Sequence, residues 1–304
     1  MSTFNITILG CSSATPTADR HPSSQLLHIN ENAVLIDCGE GTQNQMIKYH
    51  IKYNKIDYIL ISHLHGDHFL GLPGLLSTMS LNGRQKKLIL IGPIALKNVI
   101  ESLLEVIDTR LQFEVDFIPT DPNLSEMVIS TDQIQISTFP LKHRIPCTGF
   151  LLKEVKDPRK ILVDKCTFHQ VPVEYFSILK RGKDYFKLDG TVIPNSELTS
   201  AASIPKSYAY CSDTIYDEDI IPYIQGVDLL YHESTFTEDL IKRAIETYHS
   251  TAKQAGTIAQ KAHVKQLIIG HFSARYHNLD ILLNEAKSVF ENTLLAKEGQ
   301  IFSI

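Results

Sequence analysis

The stretch "YILISHLHGDHFLGLPG", Tyr58 to Gly74, runs an apolar segment into three histidines and an aspartate within six residues, 63–68. "YILIS" (58–62) is continuously apolar, which predicts an interior strand buried on both faces. His63, His65, Asp67 and His68 begin where that strand stops, at the carboxyl edge where open α/β sheets build their sites. Imidazole and carboxylate are ligands that a borderline-soft divalent cation accepts. Gly66 allows a tight turn between two pairs of such ligands. The extended spacing sends His63 and His65 to one side, and the turn sends Asp67 and His68 to the other. That suits two ions better than one. A lone histidine is more often a packed or surface residue, but a ligand type at four of six positions is hard to explain that way.

Two ions need more ligands than this cluster holds, so further His or Asp residues are expected at other strand ends. His143 follows "IQISTFPLK", Asp213 follows "SYAYCS", and His271 closes "QLIIG". An aspartate at a strand end is also a common helix cap, so the group carries more weight than any member. His63, His65 and His143 are expected around one ion, Asp67, His68 and His271 around the other, with Asp213 bridging them. Two ions about 3.5–4 Å apart activate a water and stabilise the leaving oxygen of a phosphodiester.

The rest of the chain bounds the setting. At 304 residues, 43% hydrophobic and 21% charged, it is long enough and ordinary enough to bury a sizeable core. "MSTFNITILG" carries no basic segment followed by a long apolar one, and no apolar run reaches bilayer length, so no membrane and a cytoplasmic location are expected. The five cysteines are scattered and form no CxxC pair, which points away from a disulfide framework or a cysteine zinc site. A formal net charge of −5 argues against an indiscriminate nucleic-acid binder but leaves room for a local basic patch.

Strands are predicted at 5–10, 33–39, 58–62, 88–92, 134–140, 148–154, 207–213, 228–234 and 266–271, and helices at 42–50, 93–107, 251–263 and 279–293. So many buried strands pack naturally as two sheets covered by outer helices. From about Val155 to Ser203 the periodicity fades into a charged, aromatic, turn-rich segment. Residues 151–190 hold nine Lys/Arg against six Asp/Glu although the chain is acidic overall, as expected either of a solvated insertion or of an arm that touches a polyanion.

These residues resemble the metallo-β-lactamase superfamily and, within it, the ribonuclease Z family. "SHLHGDH" (Ser62–His68) preceded by "LIDCGEGTQ" (Leu35–Gln43) marks the superfamily. "LGCSSATPTADRHPSS" (Leu9–Ser24), "CSDT" (Cys211–Thr214), "HEST" (His232–Thr235), "HSTA" (His249–Ala252) and "GHFSARY" (Gly270–Tyr276) narrow it to the family. The resemblance covers nearly the whole chain. It implies an α/β (α+β) fold, a four-layer αβ/βα sandwich of two mixed sheets, with 1–304 one catalytic domain carrying an inserted tRNA-binding arm at 155–195. It implies the ligand grouping given above for two Zn²⁺ per chain, Mn²⁺ being able to use the same His/Asp sites. Asp67 would also act as general base, and Glu233 and His249 would deliver a proton to the leaving group. Ser273, Arg275 and Tyr276 would meet the substrate, with Thr15 and Arg20 as weaker candidates. Lys180, Arg181 and Lys183 would be RNA contacts of the arm, which lacks the family's usual Gly-Pro-rich clasp. The implied activity is removal of the 3′ trailer from precursor tRNA by a cytoplasmic homodimer. The alternative is a small-molecule phosphodiesterase or arylsulfatase-like hydrolase on the same scaffold. A redox di-iron relative usually has glutamate where His65 stands.

Overall fold

The computed structural model describes residues 4–156, 159–201 and 204–304. Met1–Thr3, Ala202, Ser203 and, from the segment read as an arm, Asp157 and Pro158 lie outside the described residues. The chain divides into two compact units, one of Met1–Ser130, Ile134–Lys153 and Lys206–Ile304, the other of Thr131–Gln133 and Glu154–Pro205.

The first unit opens with β1 (Phe4–Gly10), β2 (Ser24–Ile29), β3 (Asn32–Ile36), β4 (Tyr58–Leu60), β5 (Leu88–Pro93), β6 (Val115–Thr120), β7 (Met127–Ser130), β8 (Ile134–Leu141) and β9 (Cys147–Glu154). The second unit holds β10 (Arg159–Ile161), β11 (Tyr185–Phe186), β12 (Val192–Ile193) and β13 (Thr199–Ala201). The first unit then resumes with β14 (Ser207–Cys211), β15 (Leu229–Glu233), β16 (Leu267–Gly270), β17 (Thr293–Leu295) and β18 (Ile301–Ser303). One seven-stranded sheet has the order β18-β1-β2-β3-β4-β5-β6, antiparallel as far as β3 and parallel from β3 to β6. The other has the order β17-β16-β15-β14-β9-β8-β7, parallel from β17 to β14 and antiparallel at β14–β9 and β8–β7.

Period-two alternation explains how the sheets pack. Ile6, Ile8, Val34, Ile36, Tyr58 and Leu60 of the first sheet share one apolar cluster with Ile136, Phe150, Tyr208 and Tyr210 of the second. The residues between them, Leu35, Ile59, Ile61 and Leu90, belong to another cluster. It includes Met46, Leu76 and Leu96 of the helices Thr42–Lys48, Leu72–Leu81 and Ile94–Val106. "YILIS" is therefore apolar throughout because both of its faces are covered. Ala255, Ile258 and Leu282 bring the helices Ala252–Lys261 and Asp280–Lys287 onto the second sheet. The result is the four-layer αβ/βα sandwich with two mixed sheets.

Three local expectations need correction. The helix Leu72–Leu81 is absent from the predicted elements. Pro73 falls in the first turn, where its missing N–H leaves no bond unmade. The helix expected over 279–293 ends at Lys287, giving way to β17. Pro93 is the N-cap of its helix and the last residue of β5.

The second unit has its own small core of Cys166, Leu179, Ile193 and Leu198. It contains the antiparallel pairs β10–β13 and β11–β12. Buried Asn195 fastens it, donating from Nδ2 to Leu179 O and Lys183 O at 2.8 Å each and accepting from Thr199 Oγ1 at 2.7 Å. Its elements run only two to six residues, too short to show periodicity in the sequence.

Close backbone approach positions the loops that follow β3 and β4. Gly71 N donates to Cys38 O at 2.9 Å, and a Cβ on Gly71 would strike Gly39 O and Cys38 O. The φ of Gly71 is −75°, which alanine adopts readily, so Gly71→Ala tests the contact alone. It is expected to cost about 1–3 kcal/mol, by analogy with other overpacking changes. Thermal unfolding measures this, and bound metal should fall with it because the Asp37 and His68 loops are forced apart.

Candidate metal centre

Parallel strands bring their carboxyl ends to one edge, and register decides which side chains meet there. Ile36 pairs with Leu60, so Asp37 follows β3 beside the start of the His63–His68 turn. Glu233 pairs with Gly270, so His271 leaves β16 beside the end of β15. His143 follows β8 and Asp213 follows β14. Thr148 N donates to Ser62 O at 3.0 Å, joining backbone from the two sheets at this edge.

All seven expected ligands converge in two clusters. In the first, His65 Nδ1 lies 3.1 Å from both His63 Nε2 and His143 Nε2, and Asp213 Oδ2 lies 3.5 and 3.7 Å from those two nitrogens. In the second, His68 Nε2 and His271 Nε2 are 3.3 Å apart, each 3.4 Å from Asp67 Oδ2. Asp213 Oδ1 lies 3.3 and 3.2 Å from the same two nitrogens. Asp213 thus gives one oxygen to each cluster.

The donor set fits divalent cations. A tetrahedron with metal–nitrogen bonds of about 2.0–2.1 Å has edges of about 3.3 Å. Asp213 Oδ1 is buried without a hydrogen-bond partner, although two ring nitrogens face it. That is the signature of acceptors assembled around a positive charge.

The outer nitrogens explain why the inner ones present lone pairs. Imidazole ligands are oriented by hydrogen bonds from the other ring N–H. His68 Nδ1 donates to Asp37 Oδ2 at 2.7 Å, and His143 Nδ1 to Tyr248 O at 2.8 Å. His63 Nδ1 donates to Ser62 Oγ at 3.0 Å, which in turn donates to Asp37 Oδ2 at 2.9 Å. His271 Nδ1 donates to Thr235 Oγ1 at 2.9 Å, and Thr235 donates to Glu233 Oε2 at 2.7 Å. Asp37 also accepts Ser62 N–H and the Tyr210 hydroxyl at 2.8 Å each, so a fully buried carboxylate is satisfied on every side. Asp37 and His271 hold φ of 54° and 60°, left-handed values found mostly for Asn, Asp and His among side-chain-bearing residues.

Charge follows the same division. Burial, with help from His68, pushes His63 well below the usual imidazole range, leaving it neutral as a ligand must be. Burial disfavours charge on His68 as well, but Asp213, Asp67 and Asp37 outweigh it and raise its pKa far above normal. Burial also opposes ionisation of Asp67, yet His68 and His271 hold its carboxyl well below the usual range.

Glu233 and His249 stand beside the clusters. Glu233 Oε1 accepts His249 Nδ1–H at 2.8 Å and Thr214 N–H at 3.0 Å. Burial works against a charged His249, but Glu233 overrides it and lifts the imidazole to about 9. The neighbours of these residues are structural. Ser250 Oγ donates to Thr214 O at 2.8 Å, and Thr251 caps the helix Ala252–Lys261 in a capping box with Gln254.

The clusters open into a cleft of about 360 Å³ whose lining includes Glu40, Leu70, Arg144 and Thr247. Ser273, Arg275 and Tyr276 are not in that lining. Arg275 stacks over Phe236, its guanidinium 5.0 Å from the ring centre, and its Nε donates to Ser273 Oγ at 3.1 Å. Tyr276 is buried, and its hydroxyl accepts Thr237 N–H at 3.0 Å. Arg20 Nη2 donates to Ser273 O at 3.4 Å, and Thr15 N to Ser13 O at 2.6 Å. Lys180, Arg181 and Lys183 lie in the second unit. Sequence reasoning missed Asp37 as an anchor, Thr235 as a relay, Arg144 in the cleft, and Ala14, whose N–H donates to Asp67 Oδ2 at 2.7 Å. The adjacency of Arg144 to His143, and of Thr235 to Glu233, was the available signal.

Residues 4–170 match the family model described as Anti-Pycsar protein Apyc1. Over 304 residues the chain is 46% identical to Ribonuclease Z of Parabacteroides distasonis and covers 100% of it. It is 45% identical over 304 residues to Ribonuclease Z of Bacteroides fragilis, again covering 100% of both chains. The crystal structure of human tRNase Z, short form, superposes with a TM-score of 0.71 at 27% identity, covering 99% of each chain. The chain belongs to the ribonuclease Z family of metallo-β-lactamase-fold hydrolases, its residues 4–170 falling also within the family of the Apyc1 description.

Proposed function

We propose that this protein is a zinc-dependent endoribonuclease that removes the 3′ trailer from precursor tRNA. The observation that carries the reading is the pair of donor clusters sharing Asp213, set in a chain of this family. His63, His65, His143 and Asp213 Oδ2 would hold one Zn²⁺, and Asp67, His68, His271 and Asp213 Oδ1 the other, with Mn²⁺ as a substitute. When bound, such ions acidify water and neutralise charge on the phosphodiester.

The chain's own groups manage position and protons. Ala14 N–H holds Asp67 Oδ2, which leaves Oδ1 to accept the proton of the attacking water. Asp67 stays ionised, so it orients that water and takes up its proton as the bond to phosphorus forms. Water oxygen forms the new bond to phosphorus as the bond to the 3′ oxygen breaks. Glu233 keeps His249 protonated, and His249 gives its proton to the departing 3′ oxygen. The products are a tRNA with a 3′-hydroxyl and a trailer with a 5′-phosphate.

RNA outside the cleft would be held by Ser273 and Arg275, and by Lys180, Arg181 and Lys183 of the second unit, whose basic character supports an RNA-gripping arm. Among the described residues no helix is long and apolar enough to cross a membrane. A cytoplasmic homodimer completes the reading, and a monomeric mass in solution would remove that part of it.

A 3′-extended tRNA transcript should be cut once, beside the discriminator nucleotide, with chelation abolishing and Zn²⁺ or Mn²⁺ restoring the cut. Failure to cut it, with brisk hydrolysis of a small phosphodiester, would favour the small-molecule reading. Asp67→Ala is expected to remove turnover, and a fully active variant would defeat its assigned role. His249→Ala should lower kcat on RNA by about 10²–10⁴-fold, the usual worth of general acid catalysis. The same variant should act almost normally on a bis(nitrophenyl) phosphate, whose leaving group needs no proton; equal losses on both would exclude the acid role. Lys153 pairs with Ser207 across β9 and β14, so residues 154–205 can be replaced by a short turn. That deletion should weaken precursor-tRNA cleavage far more than small-ester hydrolysis, whereas equal loss would make the second unit structural.

A further inference from the structure

His65 differs from the other four ligand histidines. They turn Nε2 inward, whereas His65 presents Nδ1 to the cluster, 3.1 Å from both His63 Nε2 and His143 Nε2. A neutral imidazole that gives its Nδ1 lone pair to a cation carries its proton on Nε2. His65 Nε2 lies 3.4 Å from Arg144 Nη2. A guanidinium has only donors to offer, so the two groups become N–H donors that cannot satisfy one another. Between them they need an acceptor.

Among the described residues no side chain supplies it. Among the described residues Arg144 makes no ion pair, and it is the only lysine or arginine in the cleft lining. Asp67 and Asp213 are committed to the clusters, and Glu40, the remaining carboxylate of the lining, is exposed and not paired with Arg144. The open acceptor position therefore faces the cleft, where Arg144 is exposed and an entering anion can displace water from it.

We propose that Arg144 and His65 Nε2–H together receive a non-bridging phosphate oxygen of the polynucleotide beside the cut. The proposal rests on the endoribonuclease reading and assigns the cleft's phosphate contact to Arg144 rather than to Arg275, which is stacked on Phe236. A planar fork suits two oxygens of one phosphate, which a lysine would meet only as a point charge. Arg144 is thus a substrate-binding residue that fixes the reacting strand, with His65 serving both the cluster and the substrate.

The test uses full-length, zinc-loaded protein and a precursor tRNA whose scissile bridging oxygen is replaced by methylene, so that binding is read without turnover. Affinity is measured at several salt concentrations for wild type, Arg144→Ala and Arg144→Lys, with metal content determined for each. Arg144→Ala should bind about 10–100-fold more weakly, as expected from losing charge-assisted hydrogen bonds. Its salt slope should fall by about 0.7, one single-strand phosphate contact, with metal content unchanged. Arg144→Lys should recover the slope but not the full affinity. Affinity and slope equal to wild type would overturn the proposal. So would a loss of affinity matched by a loss of metal, since Arg144 would then serve only to hold His65. A wild-type protein that neither binds nor cuts precursor tRNA would instead overturn the endoribonuclease reading, and this contact with it.

Discussion

Ring nitrogens and carboxylate oxygens, all acceptors when unprotonated, face one another across 3.1–3.7 Å in this protein. Such a cluster is repulsive unless a cation stands at its centre, and the surrounding structure is arranged to keep it assembled. Asp213 makes the two clusters one unit, because its two oxygens cannot separate. The strands that carry the ligands are held in register over several paired residues, and their apolar side chains are buried on both faces. A shift of one residue in β15 against β16 would move His271 away from Thr235 and Asp213 together.

The supporting residues do a chemical task as well as a mechanical one. Asp37, Thr235 and the Tyr248 carbonyl each take the outer proton of an imidazole, so the other ring nitrogen is the one turned toward the cluster. Glu233 extends this logic, since through Thr235 it reaches His271 and directly it reaches His249. One buried carboxylate thereby orients His271 through Thr235 on one side and His249 directly on the other, the proposed ligand and the proposed proton donor. Left-handed backbone at Asp37 and His271 costs about 1–3 kcal/mol per residue in general, and here it aims side chains that hydrogen bonds on several sides hold fixed.

Much of this was legible in the sequence, and the reason is local. His63, His65, Asp67 and His68 are so close in the chain that composition reveals them, and a strand end is easily recognised in "YILIS". His143, Asp213 and His271 could be found because they too follow apolar runs. What the sequence hid depends on contacts between distant segments. Asp37 was visible as part of a motif, but its hold on His68, Ser62 and Tyr210 required the fold. Arg275 looked like a phosphate ligand from its neighbours in the chain, yet Phe236 occupies its guanidinium. Arg144 looked unremarked, yet it stands in the cleft. The helix Leu72–Leu81 is absent from the predicted helices, and Pro73 is compatible with it because it sits in the first turn. The segment at 155–195 stood apart in the sequence, but the elements inside it did not, because they are shorter than any period.

The central claim is that two cations occupy these clusters with Asp213 between them. Crystals of zinc-loaded protein, measured at the zinc absorption edge, test it most directly. Two anomalous peaks about 3.5–4 Å apart are expected, one among His63, His65 and His143 and the other among Asp67, His68 and His271, each touching one oxygen of Asp213. A single peak in fully active protein, or peaks that leave Asp213 unbound, would contradict the account.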